Sequence, residues 1–133
     1  MPLAQVARNY RSAAVNTATP GQLVLMLFDG ALRNLATALG GFEIEAIGTR
    51  NERINNHLIK AQAILRELQV SLDLKAGGEF ARTMWALYDF MLERLRVANL
   101  EKEPEPIRVV ERLLTEVRGA WATMLGQNLA EAQ

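Results

Sequence analysis

Two aspartates stand where acid–base chemistry is conceivable. Asp29 and Asp89 each follow an aromatic residue inside an otherwise apolar stretch, as Phe28-Asp29 and Tyr88-Asp89. Two carboxylates brought together could share a proton and do general acid–base work. An aspartate in mid-helix is also mildly unfavourable, which favours a simpler role as partner to a cation or as a cap. Arg33 lies four residues beyond Asp29. Glu93, four beyond Asp89, is no partner, so Asp89 must look to another helix. Both aspartates are therefore read as structural ion-pair or cap residues. His57 is the one histidine and there is no cysteine. A hydrolytic triad needs a histidine between a nucleophile and an orienting acid, and His57 sits beside Asn55 and Asn56 instead. It reads as a helix-surface or bundle-edge residue. The di-iron pattern Glu-x-x-His on two helices is absent, as is the phosphate loop Gly-x-x-x-x-Gly-Lys-[Ser/Thr]. No catalytic residue, metal ligand set or cofactor is assigned, and the chain is not expected to be an enzyme.

Composition narrows the partners. The 133 residues suit one domain, and half of them are hydrophobic. Fifteen acidic side chains balance fifteen basic ones. Twelve of the basic residues are arginines, dispersed along the chain rather than clustered. Nucleic acid and anionic membrane surfaces are poor partners for such a balance. The absence of cysteine fits a reducing compartment. Residues 1–19 hold no apolar run long enough for a secretory signal. The longest apolar block, Leu23 to Phe28, is far below the ~20 residues a membrane span needs. A cytoplasmic protein with no membrane insertion is expected.

Four helical spines must carry these residues. Thr19 is a natural N-cap and Pro20 fits the first helical position. Val24, Phe28, Ala31, Leu35 and Ala38 follow at alternating steps of four and three, and Gly40-Gly41 ends the run. Gly30 inside this helix implies close approach of a neighbour. A second spine is Ile54, Leu58, Ala61, Leu65, Leu68 and Leu72, in a helix over about 49–72. A third, over about 78–100, is Ala81, Met84, Tyr88, Met91, Leu95 and Ala98. A fourth follows Pro104 and Pro106 with Val110, Leu114, Val117, Trp121 and Met124. Short connections and near-heptad spines predict an all-α, antiparallel up-down four-helix bundle.

Domain organisation follows: a cap segment over 1–19, the bundle over 20–128, and a flexible tail over 129–133. Leu3, Val6, Ala7 and Tyr10 form one apolar stripe of a short helical or extended cap, ordered only if it docks on something. Leu23 to Phe28 are consecutive apolar residues and must point in every direction. One stripe enters the core, and Leu23, Leu27 and Leu32 are left as candidates for a groove that receives another protein's helices. Leu3, Val6 and Tyr10 join them as candidate partner-binding residues. Five methionines add soft, adaptable contact surface. A monomer or weak homodimer is compatible with this surplus apolar surface. A self-associating helical bundle with an interaction or regulatory role is the alternative to a groove for another protein's helices.

Three blocks give the chain a family likeness. Tyr10 to Leu23 (YRSAAVNTATPGQL), followed by Leu25 to Ala31 (LMLFDGA), resembles the flagellar secretion chaperone family FliS. That family shows a Tyr, a spacer, Thr-Ala-Ser-Pro, and then Leu-Met-Leu-Tyr-Asp-Gly-Ala. Lys60 to Leu68 with Ser71 to Asp73, and Gly77 to Ala81 with Leu87 to Met91, continue the likeness. Thr19 stands in place of the usual Ser, Phe28 in place of Tyr, and Phe90 where Tyr is common. The resemblance implies a bundle that binds the C-terminal segment of flagellin, prevents premature polymerisation, and delivers the subunit to the flagellar export gate protein. It also implies that the N-terminal segment covers part of the binding surface when the chaperone is free, and that Tyr10 contacts the gate. Regulators of flagellin that compete for the same surface are further candidate partners.

Overall fold

The computed structural model describes residues 19–131, with side chains through Gln127. The cap-segment residues Leu3, Val6 and Tyr10 lie outside the described residues. Four helices follow in order: α1 (Pro20–Gly41), α2 (Ile47–Val70), α3 (Gly78–Glu101) and α4 (Glu105–Glu131). The fold is an all-α four-helix bundle. Pro106 sits inside the first turn of α4 rather than before it, where its missing N–H costs nothing. The last turn of α4 runs into the stretch expected as a flexible tail.

Local chemistry sets the helix ends. The Thr19 hydroxyl accepts from the Gln22 N–H at 3.1 Å, and the Gln22 side chain accepts from the Thr19 N–H at 2.8 Å. This reciprocal box satisfies two donors that the first turn would otherwise leave free. Between α2 and α3, the Asp73 carboxylate accepts from the N–H groups of Lys75 and Ala76, closing a turn. Gly77 is needed there. A Cβ would lie 2.6 Å from the Ala81 Cβ and 2.7 Å from the Asp73 carbonyl. α3 stops at Lys102, which adopts the left-handed conformation with φ 53°. Its ammonium returns to the Asn99 carbonyl and side chain, which holds a conformation that only glycine takes readily.

Each helix packs against its neighbours in sequence, and α4 closes the ring against α1. The tightest pairing is α1 with α2. Small residues on α1 permit it: Gly30, Ala31, Ala38 and Gly41 are all buried. A Cβ at Gly41 would already stand 3.0 Å from Arg53 and Ile54 side-chain atoms. The core is built from Phe28, Ala31, Leu35 and Ala38 of α1, with Ile54, Leu58, Ala61, Ile64, Leu65 and Leu68 of α2. From α3 and α4 come Tyr88, Met91, Leu92, Leu95, Ala98, Ile107, Val110 and Leu114. Burying each large side chain is worth roughly 1.5–3 kcal/mol against leaving it in water. α1 is also long and apolar enough, by length and composition alone, to cross a bilayer. Here its apolar face, with Phe28, Ala31, Leu35 and Ala38, is spent on the bundle core.

The core is lopsided. The α1–α2 and α3–α4 connections share one pole, and there the helices close on fully buried side chains such as Leu35, Ile54, Leu95 and Ile107. At the other pole lie the start of α1, the end of α2, the start of α3 and the end of α4. No residue from Pro20 to Leu27, and none from Thr115 to Gln127, is buried.

Candidate functional site

The helical spines explain where the open pole leads. Among the spine residues, Val24, Leu72, Met84, Val117 and Trp121 are only half-buried, and Met124 is exposed. All six line a single apolar cleft of about 610 Å³. Phe28, Leu68, Ala81 and Tyr88 form its floor, and Phe80 stands at its rim with 66% of its surface exposed. The antiparallel topology brings these residues together, because all four spines run out at the same pole.

Its walls are positioned by a few specific contacts. The Trp121 indole N–H donates to the Gly21 carbonyl at 2.9 Å, using a backbone oxygen of the first turn of α1. The Trp121 ring meets Phe28 edge-on with centroids 6.4 Å apart. Leu125 packs over Gly21, where a Cβ would lie 2.5 Å from a Leu125 methyl and would make that side chain shift. About two turns further along α1, Asp29 pairs with Arg118 of α4 at 2.9 Å. The Asp29 carboxylate holds the Arg118 guanidinium above its ordinary pKa by hydrogen bonding and charge. The Tyr88 hydroxyl lies at the floor, where burial pushes its pKa up to about 12.

The other expected site residues fall elsewhere. Leu23, Leu27 and Leu32 are half-buried, and none of them lines the apolar cleft. Leu27 precedes Asn34 by seven residues and so shares its face, which looks to α2, because Asn34 accepts from His57 at 2.9 Å. Asn34 also donates to the Gly30 carbonyl, so its oxygen must be the acceptor and His57 Nδ1 must carry the proton. His57 has its pKa lowered by burial first, then by Lys60 and Arg53. Leu32 lines a separate shallow groove of about 740 Å³ between α1 and α4, walled by Arg33, Glu111, Arg112 and Glu116. Asp89 takes its partner from α2, and that partner is an amide rather than a guanidinium. The buried Gln69 Nε2 donates to Asp89 at 2.6 Å and to the Trp85 carbonyl at 3.1 Å. Asn55 and Asn99 meet at 2.8 Å further along the same α2–α3 seam.

Nothing in this arrangement resembles a reacting centre. Asp29 and Asp89 are engaged in separate interhelical contacts, one on α4 and one on α2. Among the described residues, no group of three or more His, Asp or Glu is placed to hold a metal ion. What the cleft offers is apolar surface with one aromatic wall. Phe80 and the α2–α3 turn are not among the candidate partner-binding residues read from sequence, although they fall in blocks of the family likeness. The exposed phenylalanine in the first turn of α3 was the available signal.

Comparison with known proteins adds an independent line. A family model described as "Flagellar protein FliS" matches residues 3–128. The flagellar secretion chaperone FliS of Bacillus subtilis is 39% identical over 112 residues, covering 84% of this chain and 80% of the relative. The protein of the same name from Salmonella typhimurium is 37% identical, over 82% of this chain and 78% of the relative. FliSB of Pseudomonas aeruginosa is 36% identical, over 82% and 83% respectively.

Proposed function

Because the chain belongs to the FliS family of flagellar secretion chaperones, we propose that it binds the C-terminal segment of flagellin in the cytoplasm. In this reading it prevents premature polymerisation and hands the subunit to the flagellar export gate. It does so without catalysis, by covering apolar helix faces that would otherwise pair with other flagellin subunits. The observation that supports this most directly is the cleft. Six spine residues are left open at one pole, where a further helix would complete the core. An amphipathic helix laid there would bury its apolar stripe against Val24, Leu72, Met84, Trp121 and Met124. Leu23, Leu27 and Leu32 extend the contact along α1. Leu3, Val6 and Tyr10 supply a displaceable cover and, through Tyr10, a contact for the gate.

Calorimetric titration with a C-terminal flagellin peptide tests the reading. One-to-one binding with a negative heat-capacity change is expected, since apolar surface leaves water. Trp121 fluorescence should shift in parallel. No heat and no fluorescence change at tens of micromolar would overturn the assignment. A chain that instead formed homodimers through the same surface would show concentration-dependent light scattering that added peptide does not reverse.

A further inference from the structure

We propose that the C-terminal half of α4, from Thr115 onward, is a hinged wall of the cleft that swings outward to admit a ligand helix and closes over it. The proposal rests on the reading that the cleft receives a helix, and it says how the cleft can do so.

Size poses the problem. An α-helix with its side chains is 10–12 Å across and rises 5.4 Å per turn, roughly 400–600 Å³ for each turn. The cleft encloses about 610 Å³, room for little more than one turn. A helix of several turns laid there keeps its outer face in solvent unless a wall moves to cover it.

Burial narrows the choice to the start of α1, where no residue from Pro20 to Leu27 is buried but a capping box fixes the end, and the second half of α4. Ile107, Val110 and Leu114 anchor the first half of α4 in the core. Beyond Leu114 no residue through Gln127 is buried. The opposite walls are better rooted: α2 is buried as far as Leu68 and Gln69, and α3 is buried from Ala81.

The sequence of this half is also a poor helix. Gly119 and Gly126 lie within it, and a Cβ at either would meet nothing within 4 Å. Packing therefore gives no reason for glycine at these positions, unlike Gly21, where a Cβ would push on a Leu125 methyl. Glycine there lowers helix stability with no steric return. Thr115 and Thr123 return their hydroxyls to the carbonyls of Glu111 and Gly119, a back-bonding that weakens and bends helices. Thr115 marks the place where burial ends.

Few contacts hold the wall shut. Arg118 pairs with Asp29, both more than a third exposed, and Trp121 donates to Gly21. Both contacts are polar and lie at the edge of the cleft; opening also lifts Trp121 from the Phe28 ring, surface that an apolar ligand helix covers again. They act as a latch.

Hydrogen exchange and binding kinetics on the full chain test this. Amides beyond Leu114 in α4 should exchange at least about tenfold faster than those of Ile54–Leu68, and peptide binding should protect them. The double variant Gly119→Ala with Gly126→Ala should slow that exchange. It should also slow association of the C-terminal flagellin peptide about five- to tenfold, because the open form is less populated. Asp29→Asn, which weakens the latch, should speed association. Uniform exchange along α4, or an unchanged association rate in the double alanine variant, overturns the hinge. Failure of the peptide to bind the natural chain would instead count against the proposed ligand, and the exchange comparison would still decide the hinge.

Discussion

Asp29 and Arg118 are 89 positions apart in the chain and meet at 2.9 Å. The nearer arginine at Arg33 had been the obvious candidate, since four residues make one helical step. The interhelical partner depends on which helices become neighbours, and that is decided by packing rather than by local spacing. The same holds for Asp89, whose partner is the buried amide of Gln69. Both charged groups of the Asp29–Arg118 pair remain more than a third exposed, so solvent screens it. A double-mutant cycle on Asp29→Asn and Arg118→Gln, read by urea unfolding, should give a small favourable coupling that shrinks in salt. Thr19 was legible at once, because its box with Gln22 is entirely local. Thr19→Ala should cost ~1 kcal/mol of stability, and Thr19→Ser should recover most of it. Tyr88 gives a pH test. Its folded pKa is about 12 against an ordinary value of 10.0, so between those two values the folded state holds a proton that the unfolded state has lost. Stability is intact below pH 10 and falls as pH rises toward 12, by roughly 2–3 kcal/mol. Absorbance titration of a Tyr10→Phe variant, which isolates Tyr88, should show a midpoint well above 10 until the fold gives way.

At the scale of the helix, the four-and-three spacing located all four elements, and most spine residues entered the core. Where it misled was in treating every spine residue as core. Val24, Leu72, Met84, Val117, Trp121 and Met124 obey the same period as Leu58 or Leu95, yet they line the cleft. Periodicity reports which way a side chain points, not whether the facing helix is close enough to cover it. Leu23 and Leu27 were chosen from the opposite logic, as apolar residues outside the spine, and they lie beside the cleft rather than in it. The two sets should separate on mutation. Leu58→Ala, fully buried, should lower stability by about 2–5 kcal/mol. Phe80→Ala and Met124→Ala should change stability by about 0.5 kcal/mol or less, because both side chains are already exposed, yet weaken flagellin-peptide binding measurably by calorimetry.

The molecule as a whole divides into a closed pole and an open one. Up-down topology forces this division to be sharp. Both tight connections lie at the closed pole, while the free ends of α1 and α4 meet at the other. The sequence could announce four helices and their order. It could not announce that one pole would be left unfilled, because that depends on small differences in how far each helix continues beyond its last well-packed layer.

Such a division separates two evolutionary pressures along the length of one small domain. Substitutions at Leu35, Ile54 or Leu95 change how firmly the chain folds and leave its ligand untouched. If the cleft binds as proposed, substitutions at the exposed Phe80 or Met124 alter ligand affinity at little risk to folding.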